Sequence, residues 1–416
     1  MLLNLRIDYQ RNREEPLTAP YSSAEVTAGL EDPECRAAAL SAAKAVCCGH
    51  LDPLRAAVGQ ASSLRKVAFA ISVQGLGPLL AALPGRETLP PELGTFLDDE
   101  AERCSARGAR IVALLERLLA ALAKERVRAL PLKGCALVLR GDASAGLRPM
   151  GDIDLLLASP SDVDRAATIV AREFPYRRLL DTPRHLVMAE IEERVPFPGG
   201  EHPENPLRVE LHRSFRLEVL GTSLDATRPL LDSAEERAGR PVPSADALLL
   251  HLLFHAAEDF ASKGLRGVQA VDFLLLSRRS GPLVLPPLPR GAEGPVLFAV
   301  DGLERLFPGT FAAGPLAHLA ARVPSALRAR AAQLPVLRHS RPSRGWTRTS
   351  LSLIGDPLTR TRLVLRTLFP TPGEVKANVA PGAEGLSLAS AWLGVAAGRV
   401  ASLVRGARPG PRVSGR

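Results

Sequence analysis

Aromatic residues make up only 4% of this chain, so leucine, valine and alanine must fill the core that a hydrophobic content of 46% allows. So few rings also disfavour a groove that stacks successive bases of a long nucleic acid. Cysteines are scarce. Cys35, Cys47, Cys48, Cys104 and Cys135 form no Cys-x-x-Cys pair and no even framework. That excludes a disulfide scaffold and suggests a reducing, cytoplasmic setting. Cys47, Cys48 and His50 lie close together, but their spacing matches no common zinc site, and buried thiols on a helix are expected. The segment Met1 to Asp8 has no sustained apolar core and no cleavage signal, so it does not read as a secretory peptide. No window of about 18 residues is apolar and uncharged, so no spanning helix is expected. The nearest candidate, Leu386 to Val404, contains Gly394, Gly398 and Arg399 and reads as a packed or surface-lying amphipathic helix.

The formal net charge is +9. The positive charge is almost all arginine and is spread along the chain, apart from a tail in which Arg399, Arg405, Arg408, Arg412 and Arg416 meet no acid. In a sequence this rich in Ala, Pro and Gly, the arginine bias reads as coding composition, and nucleic acid is not a favoured partner.

With 416 residues the chain can hold two or three modest domains, and its Leu/Ala/Arg composition favours helix. Residues 1–30 read as a lead-in and residues 31–126 as a helical N-terminal region. Within it, Ile111, Leu114, Leu115, Leu118, Leu119 and Leu122 recur at helical spacing, with Glu116, Arg117 and Lys124 off that face. A core is expected over residues 127–215. Val127 to Leu132 reads as a strand, Gly134 as the turn into a helix, and Ile153 to Leu157 as a buried strand. Ser159-Pro160-Ser161-Asp162 starts a helix, and Leu207 to Leu211 is another strand after the Pro/Gly-rich loop Pro196 to Pro206. From about Phe215 the chain is expected to be helical again, over residues 216–370. Ser244 starts a strong helix at Ala245, Gly267 to Ser277 forms a second, and Arg279 to Gly294 forms a connector. A tail with the amphipathic helix covers 371–404, and a disordered basic end covers 405–416.

Chemistry concentrates in the core. Asp152 and Asp154 lie two apart in an apolar run, so both carboxylates project from one strand face. Such a pair repels itself unless a cation sits between its members. Glu210, between Val209 and Leu211, adds a third acid. Three carboxylates on neighbouring strands can hold two Mg²⁺ ions, an arrangement that serves phosphoryl and nucleotidyl transfer. Lys133-Gly134 ends a strand just before a helix. There the backbone can approach a phosphate and Lys133 can meet it as a point charge.

The segments Leu132-Lys133-Gly134, Leu147-Arg148-Pro149-Met150-Gly151-Asp152-Ile153-Asp154-Leu155-Leu156 and Val209-Glu210-Leu211-His212 resemble the uncharacterised nucleotidyltransferase family of the DNA polymerase β-like superfamily. The stretch Leu250 to Ala257 and the segment Gln269-Ala270-Val271-Asp272-Phe273 are similar to that branch's helical region. The resemblance spans roughly residues 105–280. It departs at Cys135, where the superfamily usually has Gly or Ser.

The resemblance implies an α+β fold, with a small polymerase β-like sheet domain flanked by mostly helical N- and C-terminal regions. It implies Asp152, Asp154 and Glu210 as catalytic metal ligands for two Mg²⁺ ions, with Mn²⁺ as the alternative. Lys133, Gly134 and Arg148 would bind the nucleotide, with ATP the favoured NTP. The reaction implied moves NMP to a hydroxyl acceptor on a small molecule, peptide or protein and releases pyrophosphate. Transfer to RNA, as in toxin-like relatives, and a non-catalytic nucleotide-binding scaffold are the alternatives.

Arg148 reads equally as a phosphate contact or as the clamp that orients the loop before Asp152. Four further residues are candidates around the site. His185 matches a histidine of the family pattern. His212 is read as structural, on the face opposite Glu210. His255 shares a helix face with His251 and Asp259 without a His-Glu-x-x-His motif, so it reads as a packed, hydrogen-bonded histidine rather than a zinc ligand. Asp272 reads as a cap or an ion-pair partner.

Overall fold

The computed structural model describes residues 17, 21, 23–191, 205–219, 222–279, 283–288, 292–311, 315–332, 334–337, 357–368 and 385–406. Five helices open the described chain: α1 (Ser23–Glu31), α2 (Pro33–Cys48), α3 (Asp52–Gln60), α4 (Leu64–Gln74) and α5 (Gly77–Ala81). A long helix, α6 (Pro91–Lys124), then leads into the sheet. The helical start at Ser23 falls inside the segment read as a lead-in. Cys47 and Cys48 do lie on a helix. They occupy its last turn, before the left-handed Gly49, so Cys47 is only half-buried and Cys48 is exposed, contrary to expectation.

The sheet elements follow in order: β1 (Ala129–Pro131), α7 (Lys133–Arg140), β2 (Asp152–Leu157), α8 (Asp162–Glu173), β3 (Tyr176–Asp181), β4 (His185–Glu190) and β5 (Arg208–His212). They form a five-stranded mixed sheet of order β1-β2-β5-β4-β3, in which only β2 and β5 run parallel. The fold is α+β.

Alternation along β2 divides the sheet into two unlike faces. Ile153, Leu155 and Leu157 join Val209, Leu211, Leu186 and Met188 in a core closed by α6 and α8. Asp152, Asp154 and Leu156 point the other way. Leu156 there joins a second core that includes Leu132 and Ala136 of α7.

The expectation of helix from Phe215 onward fails over residues 216–242. Two hairpins stand there, β6 (Arg216–Val219) with β7 (Thr222–Asp225), and β8 (Glu235–Arg237) with β9 (Arg240–Val242), separated by the short helix α9 (Thr227–Asp232). These strands are three or four residues long and rich in charge, and the alternation of Phe215, Leu217 and Val219 is too short to stand out from the helical pattern around it. The helix expected at Ser244 is α10 (Ala245–Ser262), and Ser244 caps it by accepting from the Ala247 N–H. Next come α11 (Gly267–Arg279), α12 (Glu293–Leu306), α13 (Pro315–Ala321), α14 (Ser325–Ala331), α15 (Pro357–Leu368) and α16 (Gly385–Gly406). Most of the Pro196 to Pro206 loop, and the basic end beyond Gly406, lie outside the described residues. No helix among the described residues is long and apolar enough to cross a membrane.

One buried side chain ties α6 to the sheet. Arg107, 1% exposed, donates to the carbonyls of Met150 (2.8 Å), Gly151 (2.8 Å) and Asn205 (2.9 Å). Those carbonyls lie just upstream of β2 and β5, so one guanidinium fixes where both acid-bearing strands begin. At the next position a Cβ on Gly108 would lie 2.2 Å from the Ala145 carbonyl oxygen, so only glycine lets α6 approach that loop. An Arg107→Met variant leaves three carbonyls without their donor and should lose about 3 kcal/mol of stability. Urea denaturation would show this as a lower midpoint at unchanged slope. An unchanged midpoint would remove Arg107 from this role.

Candidate active site

Parallel pairing of β2 with β5 sets Asp154 opposite Glu210, Asp152 opposite Arg208 and Leu156 opposite His212. Two of these positions bury polar side chains: Asp154 is 2% exposed and His212 4%. Lys133 Nζ donates to Asp154 Oδ1 at 2.7 Å, and His212 Nε2 lies 2.9 Å from the same oxygen. His212 Nε2 is also 3.5 Å from Glu210 Oε2. His212 thus shares a face with Glu210, contrary to expectation, because strand residues two apart point the same way.

The protonation directions follow from this geometry. Burial alone would raise the Asp154 carboxyl, but Lys133 and His212 outweigh it and hold Asp154 far below the usual carboxylate range. Burial opposes charge on Lys133, yet Asp154, Asp152 and Glu210 keep it charged well above lysine's ordinary range. For His212, burial is overcome by hydrogen bonds to Asp154 and Glu210, which favour the imidazolium.

Lys133 reaches Asp154 because of two local features. The Leu132 N–H donates to the Asp154 carbonyl at 3.0 Å, extending the pairing of β1 with β2 by one residue. Lys133 itself takes φ +48°, a left-handed conformation uncommon for non-glycine residues and shared here by Arg126 and Ala238. The helix α7 begins at this residue, and no side chain caps its N-terminus.

Gly134 and Arg148 are coupled. A Cβ on Gly134 would fall 2.2 Å from Arg148 Nη1, so the glycine admits the guanidinium. Arg148 Nε and Nη2 donate to the two carboxylate oxygens of Asp272 on α11 at 2.8 and 2.7 Å, and Nη1 donates to the Pro149 carbonyl at 3.1 Å. All three guanidinium nitrogens therefore act on the loop and on α11. Of the two readings open for Arg148, the geometry matches the clamp. The Cys135 thiol points to the Asp152 carbonyl at 3.9 Å, and burial pushes its pKa up to about 12.

The histidines fall into two groups. The His185 ring lies 5.3 Å from that of His212, and its Nδ1 has no hydrogen-bond partner. Burial lowers its pKa. His251 is fully buried against Phe215 at 4.0 Å, with neither ring nitrogen partnered; burial and then nearby His255 drive it well below the usual range, so it is neutral. His255 pairs within its own helix, with Nδ1 3.4 Å from Asp259 Oδ2.

Residues 63–286, more than half of the chain, match the model of an uncharacterised nucleotidyltransferase family. The chain belongs to this family. No curated protein and no solved structure matches it. Both acid-bearing strands, the Lys133 turn and the Arg148–Asp272 pair lie inside the family's span.

Family chemistry gives a divalent cation a reason to be here, and the donor set fits one. Ligand atoms of Asp154, Glu210 and His212 all lie within 4.8 Å of one another. An ammonium already answers the same negative charge. Asp152, on the same strand face, falls outside that set, and His212 stands in it instead. Sequence reasoning named His212 as a candidate but put it on the face opposite Glu210, although its parity with Glu210 signalled the shared face. It missed Arg107, although helical periodicity places this arginine on the same buried stripe as Ile111, Leu114 and Leu118. A cavity of about 480 Å³, lined by Glu116, Leu119, Arg126, Arg128, Leu231 and Arg240 among others, lies toward the far end of β1 and includes none of the site residues.

Two outcomes are expected. Asp272→Leu strands a buried guanidinium and should cost about 3–5 kcal/mol, whereas the Arg148→Met/Asp272→Leu double variant should recover most of that loss. Additive losses in this double-mutant cycle would rule out the pairing. Iodoacetamide at neutral pH should label Cys48 and spare Cys135, as peptide mapping would show. Ready labelling of Cys135 in the folded protein would contradict its burial.

Proposed function

We propose that this protein is a metal-dependent nucleotidyltransferase with a polymerase β-like core, moving NMP from an NTP to a hydroxyl acceptor on a small molecule, peptide or protein. The observation that carries this reading is the juxtaposition of Asp154 and Glu210 across β2 and β5, beside Lys133 at the uncapped start of α7. Carboxylates packed this closely call for divalent cations, and a helix N-terminus with a lysine suits a triphosphate.

In this mechanism the triphosphate lies against the first N–H groups of α7, where Gly134 keeps the backbone approachable. The Lys133 ammonium turns from Asp154 toward the phosphates and offsets charge that builds on the leaving group. Asp152, Asp154 and Glu210 would hold the divalent ions, Mg²⁺ by the ordinary expectation for the chemistry, and ions bound there would neutralise the triphosphate and lower the acceptor hydroxyl's pKa. Glu210, the more exposed of the facing pair, takes the acceptor's proton on a carboxylate oxygen. The acceptor oxygen attacks the α-phosphorus in line, the α–β bridging P–O bond breaks, and its electron pair leaves with pyrophosphate. Arg148 acts at one remove, holding the loop that delivers Asp152. ATP is the favoured donor, and a small molecule, peptide or protein the favoured acceptor, because a coherent aromatic groove for a long polymer is not evident in the sequence.

Calorimetric titration of each of the four NTPs with Mg²⁺ or Mn²⁺ should show metal-dependent binding of a preferred nucleotide. Affinity should fall by at least about tenfold in the Asp152→Ala/Asp154→Ala double variant. Nucleotide binding indifferent to metal and to these acids would defeat the proposal. RNA that copurifies and is shed at higher salt would favour an RNA acceptor. Binding without pyrophosphate release on any acceptor would favour a scaffold.

A further inference from the structure

Three carboxylates would give an all-oxygen site suited to Mg²⁺. The geometry at β5 differs, because a histidine nitrogen lies between the two facing acids. We infer that His212 Nε2 is a ligand of the ion held by Asp154 and Glu210, and that this position selects a first-row transition ion such as Mn²⁺ over Mg²⁺. The inference rests on the metal-dependent reading above and specifies which atoms hold one of its ions.

Three observations support it. First, Nε2 lies 2.9 Å from Asp154 Oδ1 and 3.5 Å from Glu210 Oε2, so an ion bound by both carboxylates meets this nitrogen as well, replacing its proton, which leaves to solvent. Second, the ring is fixed. His212 ends a central strand, pairs in register with Leu156 on one side and His185 on the other, and has a side chain only 5% exposed. It cannot swing away when a cation enters, whereas Lys133, with a long stem and 26% of its side chain exposed, can. Third, Asp152 is not within reach of the same point, so the compact donor set is two carboxylates and one imidazole.

That set has a chemical preference. Mg²⁺ favours oxygen and gives up water reluctantly. Imidazole suits transition ions, and each oxygen replaced by nitrogen moves selectivity along the Irving–Williams order. The choice of ion at this position therefore follows from residue 212, not from the acids. A site with mixed donors would also explain why the third-strand motif is acid-Leu-His, with both polar residues on one face.

The test uses Mn²⁺ as the probe on the full chain. Pulsed electron paramagnetic resonance of the Mn²⁺-loaded wild type should show modulation from a coordinated imidazole nitrogen. The modulation should vanish in His212→Gln and in His212→Asn, both checked for folding by circular dichroism. Calorimetry should show wild type binding Mn²⁺ at least about tenfold more tightly than Mg²⁺, with the gap narrowing to about threefold or less in the folded variants. Bound Mn²⁺ without nitrogen modulation in the wild type overturns the inference and leaves metal-dependent transfer standing. Modulation that persists in either folded variant also overturns it, by assigning the nitrogen to another residue. Wild type that binds neither ion, with or without nucleotide, overturns both this inference and the reading beneath it.

Discussion

Everything around the site answers one electrostatic constraint: a buried aspartate faces a glutamate across a parallel ladder. With carboxylate oxygens less than 4.8 Å apart, the repulsion is about 3 kcal/mol at an effective dielectric near 20. An ordinary hydrogen bond contributes only about 1 kcal/mol net, so neutral donors would not suffice. The fold supplies an ammonium from Lys133 and an imidazole from His212, both on Asp154 Oδ1. Lys133 adopts a left-handed backbone to do so. Conformations of that kind persist where surrounding interactions over-determine them, and the extended β1–β2 pairing at Leu132 is one such interaction.

The same constraint explains why the helices after the sheet belong to the site. Asp152 and Asp154 follow a loop that would otherwise have no fixed entry into β2. Arg107 from α6 grips that loop by its carbonyls, and Arg148 within the loop is locked to Asp272 on α11. Two buried guanidiniums thereby fix the start of the strand that carries both aspartates. Gly108 and Gly134 are needed because the loop and its arginine come too close to α6 and α7 for a side chain.

What could be read in advance follows from locality. The apolar run Ile153 to Leu157 and the segment Val209 to Leu211 announce buried strands, and the spacing of Asp152, Asp154 and Glu210 announces a charged face. The Ser244 cap and the apolar run behind it announce α10. The hairpin β3–β4 was not legible, because β3 is an edge strand whose residues after Tyr176 are all exposed and carry no alternation. The small hairpins β6–β7 and β8–β9 were hidden by brevity and charge. Arg148 stayed ambiguous because its partner Asp272 lies 124 residues away, and no local pattern encodes that pairing. His212 was misassigned for a different reason. Its parity with Glu210 was available in the sequence and settles the face directly.

The central claim is that a cation and a nucleotide meet between β2, β5 and the start of α7. Anomalous diffraction from crystals grown with Mn²⁺ and a non-hydrolysable NTP analogue tests it most directly. The expected result is an anomalous peak between Asp154 and Glu210, with Lys133 moved from Asp154 onto the triphosphate. A site without metal, or a nucleotide seated elsewhere, such as the cavity between β1 and β9, would contradict it.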